Sequence, residues 1–479
     1  MRLDGNALPT SRIGVRRSCQ VHGPDACPVL EVGASHESGG AGLPVGLDAR
    51  QRRGSASLPA SGPITSRFAS TRPLIAGLLD GVEAMLNPRP LCGVQARTAW
   101  LRAVLLSACF LGMVLSAPLW WNDRLFPLLP IASWIPNLPA PWDKCIFGAT
   151  LASLVAALWC YRPAVVFFLA ATLFLYFGDQ NRGQPWFYLY WVMLLLSLMP
   201  EPAGVSGCRL LLTAVYLWGG IQKLNGRFFN EVPPWFVSPA AGWGFPTSVV
   251  HLLQWAVASA PFIEIFIALA FWVPRLRKLA VGAIVVVHGA ALVFLGPLGH
   301  NLNRVIWPWN LAMIALVIVL FPVNPPARLA QNVLELRKSM PALLVTLLVC
   351  ALPALSFFGW WDKSFSFALY SGNQATADIF VSESFAERLP EAARAHVHRV
   401  KQEYHPALQG PFVFDYITWG MKEVGAPPIL EPRNYRSVYR FLRRHAATDA
   451  DVRMVVVAKA GWMSFYLGDD VQELPMPGR

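Results

Sequence analysis

An all-α polytopic transmembrane bundle of about nine spans, followed by a small α+β extramembrane C-terminal region, is the fold class that three observations predict. Of the 479 residues, 54% are hydrophobic and only 14% charged, including 19 Trp and 28 Phe, a composition too apolar for a soluble protein of this size. Apolar stretches close to the ~20 residues needed to cross a bilayer recur from about residue 100 to residue 358. After Trp361 hydrophobicity falls, and strand-like and helix-like runs alternate to the end of the chain.

Residues 1–84 are rich in Gly, Ser, Pro, Ala and Arg without any lasting period, in stretches such as ESGGAGLPVG and RRGSASLPASGP, and are expected to be disordered. Met85 reads as an alternative natural start, which would make this segment a spurious extension. No cleavable signal peptide is legible, because the first long apolar run begins near Ala99, so the first span is expected to act as its own insertion signal.

The expected spans are 101–121, 145–160, 163–178, 185–200, 207–226, 251–273, 278–297, 305–322 and 340–358. Residues 97–325 form the expected main membrane domain, 340–358 a final helix, and 360–479 an extracytoplasmic lobe. Arg97, Arg162, Arg209, Arg275–Lys278, Arg328 and Arg337–Lys338 gather in alternate loops, whereas the opposite loops carry fewer basic residues, offset by Asp123, Asp143, Asp179 and Glu231. The positive-inside rule puts the first set in the cytoplasm of a multi-pass protein of the cell (inner) membrane. With nine spans, Lys223, the Trp- and Pro-rich stretches 122–144 and 227–250, and the lobe all fall on the outer side. Those stretches read as interfacial or re-entrant segments roofing a cavity, or as aromatic anchors.

The lobe carries strand-like runs at 453–458 and 462–466 and helix-like ones at 386–404 and 433–445. His396, His398 and His405 have no metal-ligand spacing and read as surface histidines. The eight cysteines contain no CxxC pair, so neither a thiol-exchange motif nor a cysteine metal site is legible. The net charge of +12 is spread along the chain rather than gathered into a stripe, which argues against nucleic acid as a partner and leaves the lipid bilayer.

The candidate site is read from polar residues in apolar segments. Lys223 ends the run 208–225, CRLLLTAVYLWGGIQKLN, and shares a helix face with Tyr216, Gly219 and Gly220. The two glycines would let a neighbouring backbone come close. Glu264 and His288 lie near the middle of the sixth and seventh spans, where an isolated charge is costly, so a Glu–His pair across adjacent helices is expected. Arg304, Trp307 and Asn310 recur at three-residue steps into the eighth span, and Asp179 and Arg182 lie on the same outer side. All are expected to face one outer-half cavity. Each also has a plainer use: a snorkelling lysine, a buried pair fixing helix register, an Asp179–Arg182 ion pair at the membrane edge.

The run YLWGGIQKL at 216–224, the aromatic stretch after it, the Glu264 span, the basic turn 275–278 and the histidine span resemble the HTTM family. That is the membrane domain of vitamin K-dependent γ-carboxylases and their bacterial relatives; the segment is also similar to DoxX-like membrane modules. The resemblance covers about residues 97–325. It implies a helical membrane domain in which the lysine of a Y-x-x-x-G-x-x-K-L pattern, here Lys223, is the base and oxidation of a quinol generates a stronger one. Gln222 stands where the family tends to have a second lysine, and the lobe is much smaller than the lumenal part of the eukaryotic enzymes, so the likeness does not carry glutamate carboxylation.

The functional expectation is therefore a membrane enzyme linked to a quinone or lipid, with Lys223 and His288 catalytic and Tyr216, Glu264, Arg304, Trp307, Asn310, Asp179 and Arg182 binding. The alternative is a non-catalytic scaffold or binding component whose lobe docks an unidentified protein partner.

Overall fold

A computed structural model describes residues 94–136, 138–322, 327–399, 412–459 and 469–473, within one compact unit. The expectations for residues 1–84, His405 and the run 462–466 lie outside the described residues.

The membrane part runs α1 (Val94–Leu115), α2 (Trp142–Ala156), α3 (Tyr161–Gly178), α4 (Pro185–Ser197), α5 (Ala203–Lys223), α6 (Gly226–Gly242), α7 (Thr247–Ala258), α8 (Ala260–Ala270), α9 (Arg277–Leu295), α10 (Ile306–Leu320), α11 (Leu329–Arg337) and α12 (Met340–Ala351). A 3₁₀ segment, Leu352–Phe358, prolongs α12. Among the described residues five helices are long and apolar enough to cross a membrane: Ala96–Leu115 of α1, α3, α5, α9, and α12 with its extension. The α7–α8 pair adds a sixth if its 44° bend lies within one span. The other three expected spans form shorter helices, α2 and α10 of 15 residues and α4 of 13. At ~1.5 Å per residue these rise about 20 Å, less than the ~30 Å apolar layer. Proline limits α4 at both ends: Pro185 opens it, and Pro200 and Pro202 follow it.

α5 is the central helix, with 72% of its apolar window buried against 28–44% for the other long helices. Gly219 and Gly220 explain its tight fit on α8. A Cβ at Gly220 would stand 2.6 Å from the Pro261 carbonyl oxygen, and one at Gly219 would stand 2.9 Å from Glu264 Oε2. Around this seam Phe271 and Phe321 stack at 4.2 Å, and Leu211, Leu212, Ile267, Ile284 and Leu316 are buried.

The stretch 227–250, expected as an interfacial or re-entrant segment, is mostly α6 despite Pro233, Pro234 and Pro239. Asn225 caps it, its side chain accepting from Phe228 N at 3.0 Å.

The lobe contains β1 (Thr376–Val381), α13 (Glu383–Arg388), α14 (Glu391–Arg394), β2 (Val397–Arg399), β3 (Phe412–Phe414), α15 (Tyr416–Val424), α16 (Pro432–Arg443), β4 (Val452–Lys459) and β5 (Asp469–Glu473). The sheet order is β2-β3-β1-β4-β5, and every pairing is antiparallel. Ile379, Val381, Val452, Met454 and Val456 are buried, as are Tyr435, Val438 and Leu442 of α16. The expected strand 453–458 and helix 433–445 are present as β4 and α16. Over 386–399, the described part of the single helix expected for 386–404, there are instead two short helices and a strand, because Pro390 ends the first and β2 pairs with β3.

The lobe seats on the bundle near the start of α4 and the chain after α1. Gln184 Nε2 donates to Pro427 O at 2.9 Å, Ile429 N to Asn181 Oδ1 at 3.2 Å, and Leu125 N to Glu423 Oε2 at 3.1 Å. Phe126 packs on Trp419 with ring centroids 4.9 Å apart.

Candidate functional site

The buried face of α5 presents Tyr216, Gly219 and Lys223 one and two turns apart, as the spacing predicts. Lys223 Nζ donates to Glu264 Oε2 at 2.8 Å and to the Gly219 carbonyl at 3.1 Å. Both residues are buried, at 8% and 9% exposure, so this is an ion pair inside apolar packing rather than a lysine reaching for water. The glycine at 219 makes it possible, since a side chain there would occupy the space of the Glu264 carboxylate.

His288 does not pair with Glu264 as expected. It bridges Tyr216 and Asn310: Tyr216 Oη lies 2.9 Å from Nε2, and Asn310 Oδ1 2.7 Å from Nδ1. Asn310 Nδ2 donates to the Ile306 carbonyl at 2.7 Å, which leaves its Oδ1 to accept from Nδ1–H. In the neutral imidazole Nε2 is then the acceptor for the Tyr216 hydroxyl. Two polar units from α5, α8, α9 and α10 thus meet on one face of α5, the Lys223–Glu264 pair and the Tyr216–His288–Asn310 chain.

The remaining expected residues do not join them. Asp179 is fully buried and pairs with Arg124, not with Arg182, and also accepts from the backbone of Leu129 and Asn181 at 3.1 Å each. Arg182 donates to the Leu175 carbonyl at 2.6 Å, to Trp120 O at 3.0 Å and to Asn122 Oδ1 at 2.6 Å. Burial pulls its pKa down to about 10 despite the nearby Asp179 charge. These two residues tie helix ends together near the lobe. Arg304 is exposed and Trp307 is 42% exposed, so of the three-residue series only Asn310 faces the site. The expectation of one cavity gathering all four features is corrected to two separate clusters and an exposed arginine.

A cap over the end of α5 was not legible in the sequence. Gln222 Nε2 donates to Ser356 Oγ at 2.8 Å, its Oε1 accepts from Asn373 Nδ2 at 2.5 Å, and Asn225 Nδ2 donates to Ser371 O at 2.7 Å. The segment 356–373 is thereby pinned over Lys223, and the Phe367 carbonyl comes within 3.8 Å of where a Gly219 Cβ would be. Phe367 and Tyr370 have left-handed φ of 58° and 49°, a costly conformation for bulky side chains that the surrounding packing must enforce. Tyr370 stacks on Trp235 at 5.9 Å, and Trp235 on His300 at 4.6 Å. The only sequence signal was a polar Gln222 beside Lys223 and a Ser-Gly-Asn turn at 371–373.

At the lobe junction Arg433 pairs with Asp362, and Lys363 N donates to Glu431 Oε1 at 2.8 Å. Burial, aided by the Asp362 charge, raises Glu431 to about 7, and burial lowers Lys363 to about 8. His396, expected at the surface, is buried at 7% exposure, whereas His398 is exposed. Among the described residues no group of three or more His, Cys, Asp or Glu side chains is arranged to hold a metal ion.

No protein-family model matches this sequence, and neither the curated proteins nor the solved structures provide a match.

Proposed function

We propose that this chain is a multi-pass enzyme of the HTTM type in the cell (inner) membrane, acting on a quinone- or lipid-linked substrate with Lys223 as its base. The observation that carries the reading is the buried 2.8 Å contact between Lys223 Nζ and Glu264 Oε2. Moving one proton along that contact converts ammonium and carboxylate into a neutral amine and a carboxylic acid. In the second form the amine can take a proton from a hydroxyl brought beside it, and the carboxylic acid keeps its own until the amine is reset. Lys223 spends two of its three N–H donors on Glu264 and Gly219, which leaves one to orient a quinol or headgroup oxygen. Tyr216 and His288, two turns deeper, supply a second hydroxyl–imidazole contact for moving a proton. Arg304 and Trp307, exposed at the start of α10, would meet a ligand only before it enters.

The same proposal takes all nine apolar segments as crossings, with α7 and α8 forming one bent span. An odd number of crossings sets the lobe opposite the basic N-terminal side, hence outside the cytoplasm. The hydrogen bonds that Gln222 accepts from Asn373 and that Asn225 donates to Ser371 support a shared end for Lys223 and the lobe.

A second reading, a scaffold whose lobe docks a protein, is favoured by one observation: both His288 nitrogens have protein partners, and Lys223 and Glu264 satisfy each other. Oxidation of a quinol to the quinone by the purified protein in lipid nanodiscs, with dissolved dioxygen as the two-electron acceptor, separates the two. The enzyme reading expects turnover of added naphthoquinol or benzoquinol that falls to background in Lys223→Ala. Background rates for the wild-type protein with both quinols would leave the scaffold reading.

A further inference from the structure

At the end of the bundle away from the lobe, two guanidinium groups are buried without a counter-charge among the described residues. Arg209, seventh residue of α5, and Arg277, first residue of α9, are 9% and 1% exposed. Arg209 donates through Nε to Leu320 O at 2.7 Å and through Nη1 to Asn332 Oδ1 at 2.8 Å. Arg277 donates to Phe271 O at 2.9 Å, Ala327 O at 2.6 Å and Pro322 O at 3.3 Å. Every one of these acceptors is neutral. Arg97, in the first turn of α1, is half-buried and, with Arg277, lies within electrostatic range of Arg209.

No carboxylate compensates these cations among the described residues: none is among the charged neighbours of Arg97, Arg209 or Arg277. Glu335, on α11, pairs with Lys338 at 2.7 Å, and Glu201 is exposed in the turn before α5. The flanking stretches 85–93 and 323–326 contain no Asp or Glu. Helix C-terminal carbonyls offset part of a buried positive charge, but two buried cations and a half-buried third, with no anion beside them among the described residues, leave a cost that an anionic ligand would offset. Arg209 Nη2 and the whole Arg97 guanidinium have no hydrogen-bond partner among the described residues, so donors remain for one more acceptor.

We propose that Arg97, Arg209 and Arg277 form a binding site for a phosphate group, carried by an anionic lipid headgroup or as free phosphate, where α1, α5, α9 and α10 meet. Arg277 fixes the ends of α8 and α10, Arg209 supplies charge and one free N–H pair, and Arg97 closes over the phosphate from the rim. Guanidinium groups suit this ligand because their paired donors match two phosphate oxygens. A basic recess between helix ends at the membrane surface is where such headgroups are held. The inference is independent of any role for Lys223.

The test is native mass spectrometry of delipidated full-length protein with phosphatidylglycerol, phosphatidylcholine or inorganic phosphate as probes. One phosphatidylglycerol should be retained in at least about tenfold preference to phosphatidylcholine, and Arg97→Gln, which alters only a half-buried side chain, should remove that preference. Displacement of the lipid by inorganic phosphate, or retention of phosphate without a lipid preference, would assign the site to free phosphate. Arg275→Gln, at an exposed position on the same end, should leave retention unchanged. No retention of either phosphate carrier, an unchanged Arg97→Gln, or equal losses in Arg97→Gln and Arg275→Gln would overturn the proposal.

Discussion

Lys223 and Glu264 depend on each other more than either contributes alone. A buried charge deprived of its partner is costly, whereas exchanging both members for apolar residues of similar size removes desolvation and attraction together. Lys223→Ala is therefore expected to lower unfolding stability by about 3–5 kcal/mol, and Lys223→Met combined with Glu264→Leu to cost clearly less; thermal unfolding in detergent compares them. The Tyr216–His288–Asn310 chain should show coupling of another kind. His288→Phe and Asn310→Leu are each expected to cost about 1–3 kcal/mol by leaving a buried polar atom unpartnered. Together they should cost less than their sum, read from a double-mutant thermal series. Periodicity made the shared face of Tyr216, Gly219 and Lys223 legible, because three- and four-residue spacing sets azimuth on one helix. It could not give the partners. Depth in a span is legible from position, but the rotation of α8 about its axis is set by packing, and that rotation aims Glu264 at Lys223 rather than at His288. Asp179 escaped for a related reason: the chain after α1 folds back to bring Arg124 to it, which no periodicity records.

Helix packing supplies the most direct control on this geometry. The α5–α8 seam is closed at Gly220, where an added Cβ would meet the Pro261 carbonyl at 2.6 Å. Backbone cannot yield as a side-chain tip does, so Gly220→Ala is expected to cost about 1–3 kcal/mol through overpacking. Gly282→Ala in α9, where a Cβ meets nothing within 4 Å, should stay within about 0.5 kcal/mol of wild type; a thermal melt of each variant checks both. Apolar length predicted a helix for each expected span. Composition did not show that α2, α4 and α10 end at 13 to 15 residues, because breaks at proline and turns are local. α6 was hidden by its prolines, since the Asn225 cap and tertiary contacts outweigh their missing donors.

Across the whole molecule, the groups that titrate near neutrality lie where the chain passes from the bundle into the lobe. Glu431 is raised from 4.5 to about 7, so its contribution to stability is fully present below about pH 4.5 and is lost as pH rises through 7. Lys363 is lowered from 10.5 to about 8, so its contribution is present above about pH 10.5 and is lost as pH falls through 8. Both groups are disfavoured near neutrality. Glu431→Gln is expected to raise thermal stability by on the order of 1 kcal/mol at pH 8 and to leave it unchanged at pH 4.5, measured by paired melts. The division into an apolar bundle and a mixed α+β lobe was legible because hydrophobicity changes sharply after Trp361. Their docking was not, since Gln184, Asn181 and Glu423 look like ordinary surface polar residues in a linear chain.

The role assigned to Lys223 is tested most directly by native mass spectrometry with quinone and lipid extraction, comparing the wild-type protein with the Lys223→Met, Glu264→Leu double variant. That variant is expected to keep the seam apolar and folded while removing the Lys223–Glu264 pair. A quinone or lipid that co-purifies with the wild type and is absent from the variant, at comparable melting temperature, is the result predicted here. The same ligand complement in both, or none in either, would contradict a ligand-handling site at Lys223 and leave the pair as a lock between α5 and α8.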